Sequence, residues 1–318
     1  MSHHFIENSD IIMKFKDGKT KVGGENSNFS EYFDLKRIAA HYFRIPPGSR
    51  TSRPHAESME EEFLYVISGE IDLWLNGNIK NMKTGECIGF PPGSGVAHCF
   101  INNSSQDCEL FVSGDRTKSN NQCHFPLEQN LKDELGDFWW DLCPKQSLGP
   151  HNALPGEVLE SERDEEIKVL NALESFTDKT FSYPGDDETF ADGICMSREF
   201  GLKSVAIWLE RIPPGKRTSW PHAHSTEEEF VYVLKGEVTV LLDDKTYKKG
   251  AGTAIDFKAG SGVAHTLMNE SESEVLYICV GECEPIEDKI YYPLHPKRNE
   301  EIRLKGYLWE DRPDKQES

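Results

Sequence analysis

An internal duplication constrains this chain more than any other feature. Residues 44–70 read RIPPGSRTSRPHAESMEEEFLYVISGE, and residues 211–237 read RIPPGKRTSWPHAHSTEEEFVYVLKGE. The register never slips: His55 pairs with His222, Glu62 with Glu229, Gly69 with Gly236 and His98 with His265, each pair 167 positions apart. A match of that length marks two copies of one domain, not a solenoid of short units. The chain has 318 residues, so each copy has room to bury a core of its own.

Within each copy the local pattern is β. Phe63–Ile67 and Phe230–Leu234 are short β-branched and aromatic runs closed by Ser-Gly or Lys-Gly. Ile71–Leu75 and Val238–Leu242 follow, ended by Asn76-Gly77 and Asp243-Asp244. Further strands are expected at Cys87–Phe90, His98–Asn102 and Glu109–Val112, and in the second copy at Thr253–Phe257, His265–Asn269 and Val275–Val280. Many short strands with frequent turns predict a sandwich or barrel. Helical spacing is confined to the periphery: Leu127, Leu131, Leu135 and Phe138 would make one apolar stripe, and 300–304 is a weaker echo. Pro144–Gly156, rich in Pro and Gly, is expected to be a linker, with a short helix over about 164–176. The domains are therefore placed at 1–158 and 159–318.

Composition excludes several classes of function. With 35 basic and 55 acidic residues the formal charge is -20, which disfavours nucleic acid and anionic membranes as partners. No apolar run is long enough to span a bilayer, and the first residues lack the pattern of a secretory signal. The eight cysteines do not recur at the repeat offset and form no CxxC pair, as expected of free thiols in a reducing cytoplasm.

The repeated residues include those that bind metal ions. In Pro221-His222-Ala223-His224, two imidazoles at i and i+2 share one face of a strand, with Glu229 close behind. His265 arrives on a later strand after Gly262. Three imidazoles and a carboxylate on one point suit a divalent transition metal: Zn, Cu, Fe or Ni for the imidazoles, Mn through the carboxylate. Of the triplets Glu60–Glu62 and Glu227–Glu229, only the last member has the spacing to the glycine and the parity of the buried strand face. The others read as a solvated loop. His41 aligns with Trp208, and His124, His151 and His295 lie near peripheral segments, so none of them reads as a shared site residue.

These residues resemble the two motifs of the cupin superfamily. Gly215, His222, His224, Glu229 and Gly236 match the first, with a spacer one residue longer than usual. Gly252, Gly262, His265 and Asn269 match the second, although the proline usual before the turn is missing around Lys258. The whole chain is similar to microbial bicupins and, more distantly, to oxalate decarboxylase-like bicupins. The resemblance implies an all-β fold, two double-stranded β-helix (jelly-roll-like) barrels with short peripheral helices. It also implies that His222, His224, Glu229 and His265 line the second barrel as metal ligands.

The first barrel departs at one position. His55, Glu62 and His98 match, but Glu57 stands where the second histidine belongs. Either Glu57 is a ligand, giving two His and two carboxylates, a harder set favouring Fe(II) or Mn(II), or it pairs with Arg50 or Arg53 and the site binds poorly. Two buried carboxylates repel unless a cation sits between them. By resemblance the protein is a small-molecule metalloenzyme of dioxygenase or decarboxylase type. A non-catalytic ligand-binding or storage bicupin and a sugar isomerase or epimerase are the alternatives. Arg50 and Arg217, and Tyr65 and Tyr232, could assist substrate or simply pack at the barrel rim. Homo-oligomers are common in the family.

Overall fold

Turns dictate where each strand of the computed structural model ends. The structure describes residues 4–17, 19–116, 119–157, 167–177, 181–184, 186–283 and 287–313. Strand Glu62–Ser68 stops at Gly69, and Glu229–Lys235 stops at Gly236, where φ is +83° and +84°. Only glycine adopts that conformation freely, and an added Cβ would come within 2.9 Å of the Asp107 or Glu274 carbonyl. Asn76 and Gly77, both at positive φ, close a tight hairpin between Glu70–Leu75 and Asn78–Lys83.

Two compact units result. One comprises Ile11–Glu174 with Ser197–Leu202, and the other comprises Met1–Asp10, Ser175–Met196 and Lys203–Ser318. In the first, antiparallel strands run in the order Glu86–Phe90, Glu62–Ser68, Cys108–Asp115, Ile38–Ile45 and Val22–Asn28. The sheet then continues through Ser49–Arg50 to His98–Asn102, Glu70–Leu75 and Asn78–Lys83, curling around one core. The second unit has a six-stranded sheet in the order Phe5–Glu7, Thr253–Phe257, Glu229–Lys235, Val275–Glu282, Val205–Ile212 and Asp192–Cys195. A three-stranded sheet of Lys245–Gly250, Glu237–Leu242 and His265–Met268 completes it. The fold is all-β, as the strand pattern predicts, and jelly-roll-like, as the family resemblance implies. Chain order and unit membership differ at the edges, because Phe5–Glu7 hydrogen-bonds along Thr253–Ile255 and Leu170–Asn171 along Glu86–Cys87.

Strand parity decides what faces inward. Leu64, Val66, Ile88, Phe100 and Leu110 form the core of the first barrel, and Val231, Val233, Ile255, Leu267 and Tyr277 that of the second. Glu62 and Glu229 share the face of Leu64 and Val231, so each carboxylate is aimed at a barrel interior.

The periphery corrects several expectations. The boundary at 158/159 lies outside the described residues. Of the helix expected over 164–176, the described part is instead a strand at Leu170–Asn171 and a 3-10 turn at Leu173–Ser175, since the strand edge at Glu86–Cys87 takes its backbone. The leucine stripe shrinks to Leu131–Leu135 and a 3-10 turn, with only Leu131 buried and Leu127 and Phe138 exposed. Pro144–Gly156 packs on the first barrel instead of hanging free: the His151 carbonyl accepts from Trp74 Nε1, and the Ala153 carbonyl from Arg50. The segment is held because it supplies buried donors with acceptors. In the second copy the helix Pro296–Leu304 does form, with His295 Nδ1 accepting from the Arg298 amide as its cap and Pro296 fixing the first turn. Among the described residues no helix is long and apolar enough to cross a membrane.

Asn102 and Asn269 tie off the strand that bears each later histidine. Asn269 Nδ2 donates to the carbonyls of Ile212 and Ser273, each at 2.7 Å, while Oδ1 accepts from the amide and hydroxyl of Ser271. Asn102 makes the same set with Ile45, Gln106 and Ser104. Removing one such side chain strands several polar groups, each costing about 1–3 kcal/mol when buried. Asn269→Ala should therefore destabilise the second barrel by about 3 kcal/mol in denaturant unfolding. A midpoint indistinguishable from wild type would contradict the buried clamp.

Candidate metal centres in the two barrels

The two barrels present their histidines from equivalent positions. In the second, His222 and His265 face each other across an isolated bridge, and His224 lies on the short strand Ala223–His224. Phe257 stacks on the His265 ring with centroids 3.9 Å apart and planes 5° from parallel, as Phe90 does on His98 at 3.5 Å and 4°. The Asp243 and Asn76 side chains accept from the backbone amides of Ala264 and Ala97, fixing the residue just before each histidine.

Hydrogen bonds set the tautomers. His222 Nδ1 lies 2.9 Å from the Trp220 carbonyl and His55 Nδ1 2.8 Å from the Arg53 carbonyl, so each Nδ1 donates. Each Nε2 is then left with a lone pair. In the second barrel the Nε2 atoms of His265, His222 and His224 lie 3.1, 4.0 and 4.0 Å from Glu229 Oε2. In the first, His98 and His55 lie 2.9 and 3.7 Å from Glu62 Oε2. Atoms of His55, Glu62 and His98, and likewise of His222, His224 and Glu229, fall within 4.8 Å of one another. Glu57 joins the edge of the first group, with Oε1 3.6 Å from His55 Nε2.

The expected pairing of Glu57 with Arg50 or Arg53 does not form. Arg50 binds the Ala153 carbonyl and Glu128, and Arg53 binds Asp17 and Glu128, so neither partners it. Glu57 is instead held by the Asn121 amide at 2.5 Å and the Cys123 thiol at 3.1 Å. Arg217 makes a bidentate pair with Glu188 and lies over the Trp220 ring, which is the packing role. Tyr65 is buried, and Tyr232 accepts from Asn8.

Sequence reasoning missed several members of these sites. Glu61 and Glu228 are buried, not solvated, and Glu227 reaches within 3.3 Å of His224 Nδ1. Asp288, which lies within a polar stretch, accepts from the same His224 Nδ1 at 2.7 Å. His41 lines a cavity of about 300 Å³ in the first barrel together with His55, Glu57, Glu62, Thr51 and Phe100. On strand Ile38–Ile45 it shares a face with Ala39 and Phe43, which line the same cavity. In the second barrel Glu210 accepts from the Tyr277 hydroxyl, and Cys279 lies 3.7 Å from Glu229. All eight cysteines are free thiols.

Electrostatics follow from this crowding. Burial alone would raise Glu62, but His98, His55 and His41 hold it down to about 2. Glu229 is likewise held well below the usual carboxylate range by His265, His222 and His224 against the effect of burial. Burial, with His265 and His224 close by, pushes His222 down to about 3. His224 goes the other way, up to about 9, because the hydrogen bond to Asp288 and the charge of Glu227 outweigh its burial. Burial pushes Glu210 up to about 7 despite the Tyr277 hydrogen bond, with Glu229 adding to it.

His224 holds its proton more tightly folded than unfolded, where 6.5 is its ordinary value. Its pairing with Asp288 therefore stabilises the fold fully below pH 6.5, and that contribution is lost as pH rises through about 9. In chelator-stripped protein, the difference in melting temperature between wild type and Asp288→Asn should be full at pH 6.5 and smaller above pH 9. A difference that stays constant with pH would show that the pair is not ionic.

Comparison with known proteins agrees with this architecture. The cupin domain family matches residues 41–114 and 208–281. Auxin-binding protein T92 of Nicotiana tabacum is 40% identical over 57 residues, covering 18% of this chain and 29% of that protein. Auxin-binding protein 1 of Arabidopsis thaliana is 35% identical over 99 residues, covering 29% of this chain and 48% of that protein. The chain thus spans less than half the length of these curated relatives. Among solved structures, Lactobacillus farciminis oxalate decarboxylase in a formate complex aligns with a TM-score of 0.58 at 15% identity, covering 96% of this chain and 91% of that one. The S161A mutant of Bacillus subtilis oxalate decarboxylase aligns with a TM-score of 0.56 at 17% identity, covering 100% and 88%. Two domain matches in register with the repeat, on a fold shared with those enzymes, make this chain a two-domain member of the cupin superfamily, a bicupin.

Proposed function

We propose that each barrel holds one divalent transition metal and that the protein is a small-molecule metalloenzyme of decarboxylase type. His222, His224, Glu229 and His265 are the ligands in the second barrel, and His55, Glu57, Glu62 and His98 in the first. One observation carries the reading. In both barrels Nε2 lone pairs point at a carboxylate oxygen across 3.7–4.0 Å, acceptor against acceptor, an arrangement that a cation between them turns from repulsive to favourable. The carbonyl-bound Nδ1 atoms of His55 and His222 fit the outer support that metal-bound imidazoles normally have. The donor set thus suits the group.

A bound metal would act as a Lewis acid on a substrate oxygen. The residues around it supply the rest. Decarboxylation needs a proton for the carbon that loses carbon dioxide, and Glu210, pushed up to about 7 and hydrogen-bonded by Tyr277, can keep one in the second barrel at neutral pH. The first-barrel cavity of about 300 Å³ has the size for a small substrate, and Phe100 and Leu64 contribute apolar lining to it. Its carboxylates would repel an anionic substrate unless the metal offset their charge. The related fold in Bacillus subtilis oxalate decarboxylase carries Mn(II) centres, which supports Mn among the Mn, Fe, Zn and Ni that this donor set admits. A cytoplasmic, homo-oligomeric enzyme is part of the same reading, and the free thiols suit a reducing compartment.

Purified protein from metal-supplemented cultures should contain close to two equivalents of transition metal by elemental analysis. His224→Ala should lose the equivalent in the second barrel and Glu57→Ala that in the first. Wild-type protein without metal would sink the assignment. Carbon dioxide release from small carboxylic acids, with no oxygen consumed, is the expected activity. Stoichiometric oxygen uptake would move the reaction to the dioxygenase class.

A further inference from the structure

The residue behind each variable ligand has changed together with it. Asn121 and Asp288 stand 167 positions apart, at matching places in the two copies. Their Oδ1 atoms do the same job. Asn121 Oδ1 accepts from Ser58 Oγ at 3.2 Å and from the amides of Met59 and Glu60 at 3.0 and 3.4 Å. Asp288 Oδ1 accepts from Ser225 Oγ at 3.2 Å and from the amides of Thr226 and Glu227 at 2.9 and 3.2 Å. Both side chains thereby clamp the loop that follows position 57 or 224.

The second atom of each side chain differs in chemistry. Asp288 Oδ2 accepts from His224 Nδ1 at 2.7 Å, whereas Asn121 Nδ2 donates to Glu57 Oε2 at 2.5 Å. Where the forward residue is a donor imidazole, the rear residue is an acceptor. Where the forward residue is an acceptor carboxylate, the rear residue is a donor. Changing only one member leaves either carboxylate against carboxylate or imidazole N–H against amide N–H, with Oδ1 already committed to the loop.

We propose that Asn121 and Asp288 are positioning residues that determine which ligand their barrel turns toward the metal, and that the first barrel is a matched carboxylate variant of the second, not a decayed copy. This rests on the metal-binding reading above. Charge bookkeeping agrees. The first barrel has Glu57 and Glu62 around its centre, and the second has Glu229 and Asp288. One carboxylate has moved from behind the ligand to the ligand position, so these paired positions, taken with Glu62 or Glu229, bring two carboxylates to each barrel. What changes is the donor set, from three nitrogens and one oxygen to two of each, which shifts preference toward harder metals such as Mn(II) and Fe(II).

A pair of exchanges tests this in the full-length chain. Wild type, Glu57→His, Asn121→Asp and the double variant are stripped with chelator and titrated with Zn(II) against a chromophoric competitor. The unaltered second barrel serves as internal reference. Each single change should weaken the first site about 10–100-fold, and the double variant should recover to the affinity of the second site within a few-fold. Losses that simply multiply in the double variant would overturn the pairing. The reciprocal series, His224→Glu rescued by Asp288→Asn, covers the case in which a first-barrel variant fails to fold. If wild type binds no Zn(II), the metal reading falls, while melting of the same metal-free proteins still tests the pairing. Rescue of the melting temperature in the double variants supports it, and additive losses overturn it.

Discussion

Two carboxylates organise this molecule. Glu62 and Glu229 each sit at the start of a strand whose parity points them into a barrel, and imidazole nitrogens converge on each. Such an arrangement is stable only if the surrounding structure holds every ring in place, because unsupported groups would turn away or take up protons. The fold provides that support in layers. Phe90 and Phe257 stack against the later histidines, the Arg53 and Trp220 carbonyls orient the earlier ones, and Asn76 and Asp243 pin the adjoining turns. Much of the polar hydrogen bonding in each barrel thus serves to hold the groups around one point.

The same constraint explains why the two copies can diverge without losing the fold. Hydrophobic cores and strand ends are governed by parity and by Gly69 and Gly236, which the duplication preserved. The interior positions along Ile38–Ile45 and Val205–Ile212 are freer. There His41 and Phe43 in one copy correspond to Trp208 and Glu210 in the other. Each barrel therefore keeps a similar ring of ligands but offers a different wall to whatever binds beside it. The first wall includes the partly buried His41 imidazole, which desolvation pushes down to about 4. The second includes the Glu210 carboxyl, which burial pushes up to about 7.

The fold and the convergent residues were legible in the sequence, and the reason is physical. Alternation in Ile71–Leu75, the Asn76-Gly77 turn and the duplicated glycines are local signals, and they locate strands and their ends directly. Histidine spacing on a strand face and Glu229 parity placed the second-barrel residues together for the same reason. Tertiary partnerships were not legible. Nothing local marks Asp288 as the partner of His224, or Asn121 as the partner of Glu57, because each pair is more than sixty positions apart and meets only across an isolated strand pairing. The Pro144–Gly156 segment departs from a free linker for a related reason: it offers backbone carbonyls to Trp74 and Arg50, which composition cannot express. The offset of 167 does carry the missing signal, since it aligns Asn121 with Asp288 once position 57 is compared with position 224.

The proposed metal sites place a cation between the imidazoles and the carboxylate in both barrels. Anomalous X-ray scattering from crystals grown with Mn(II), recorded above and below the manganese edge, tests this placement most directly. Two peaks per chain are expected, one bounded by His222, His224, Glu229 and His265 and the other by His55, Glu57, Glu62 and His98. Peaks confined to surface carboxylates, or none at either position while the side chains keep their present arrangement, would contradict it.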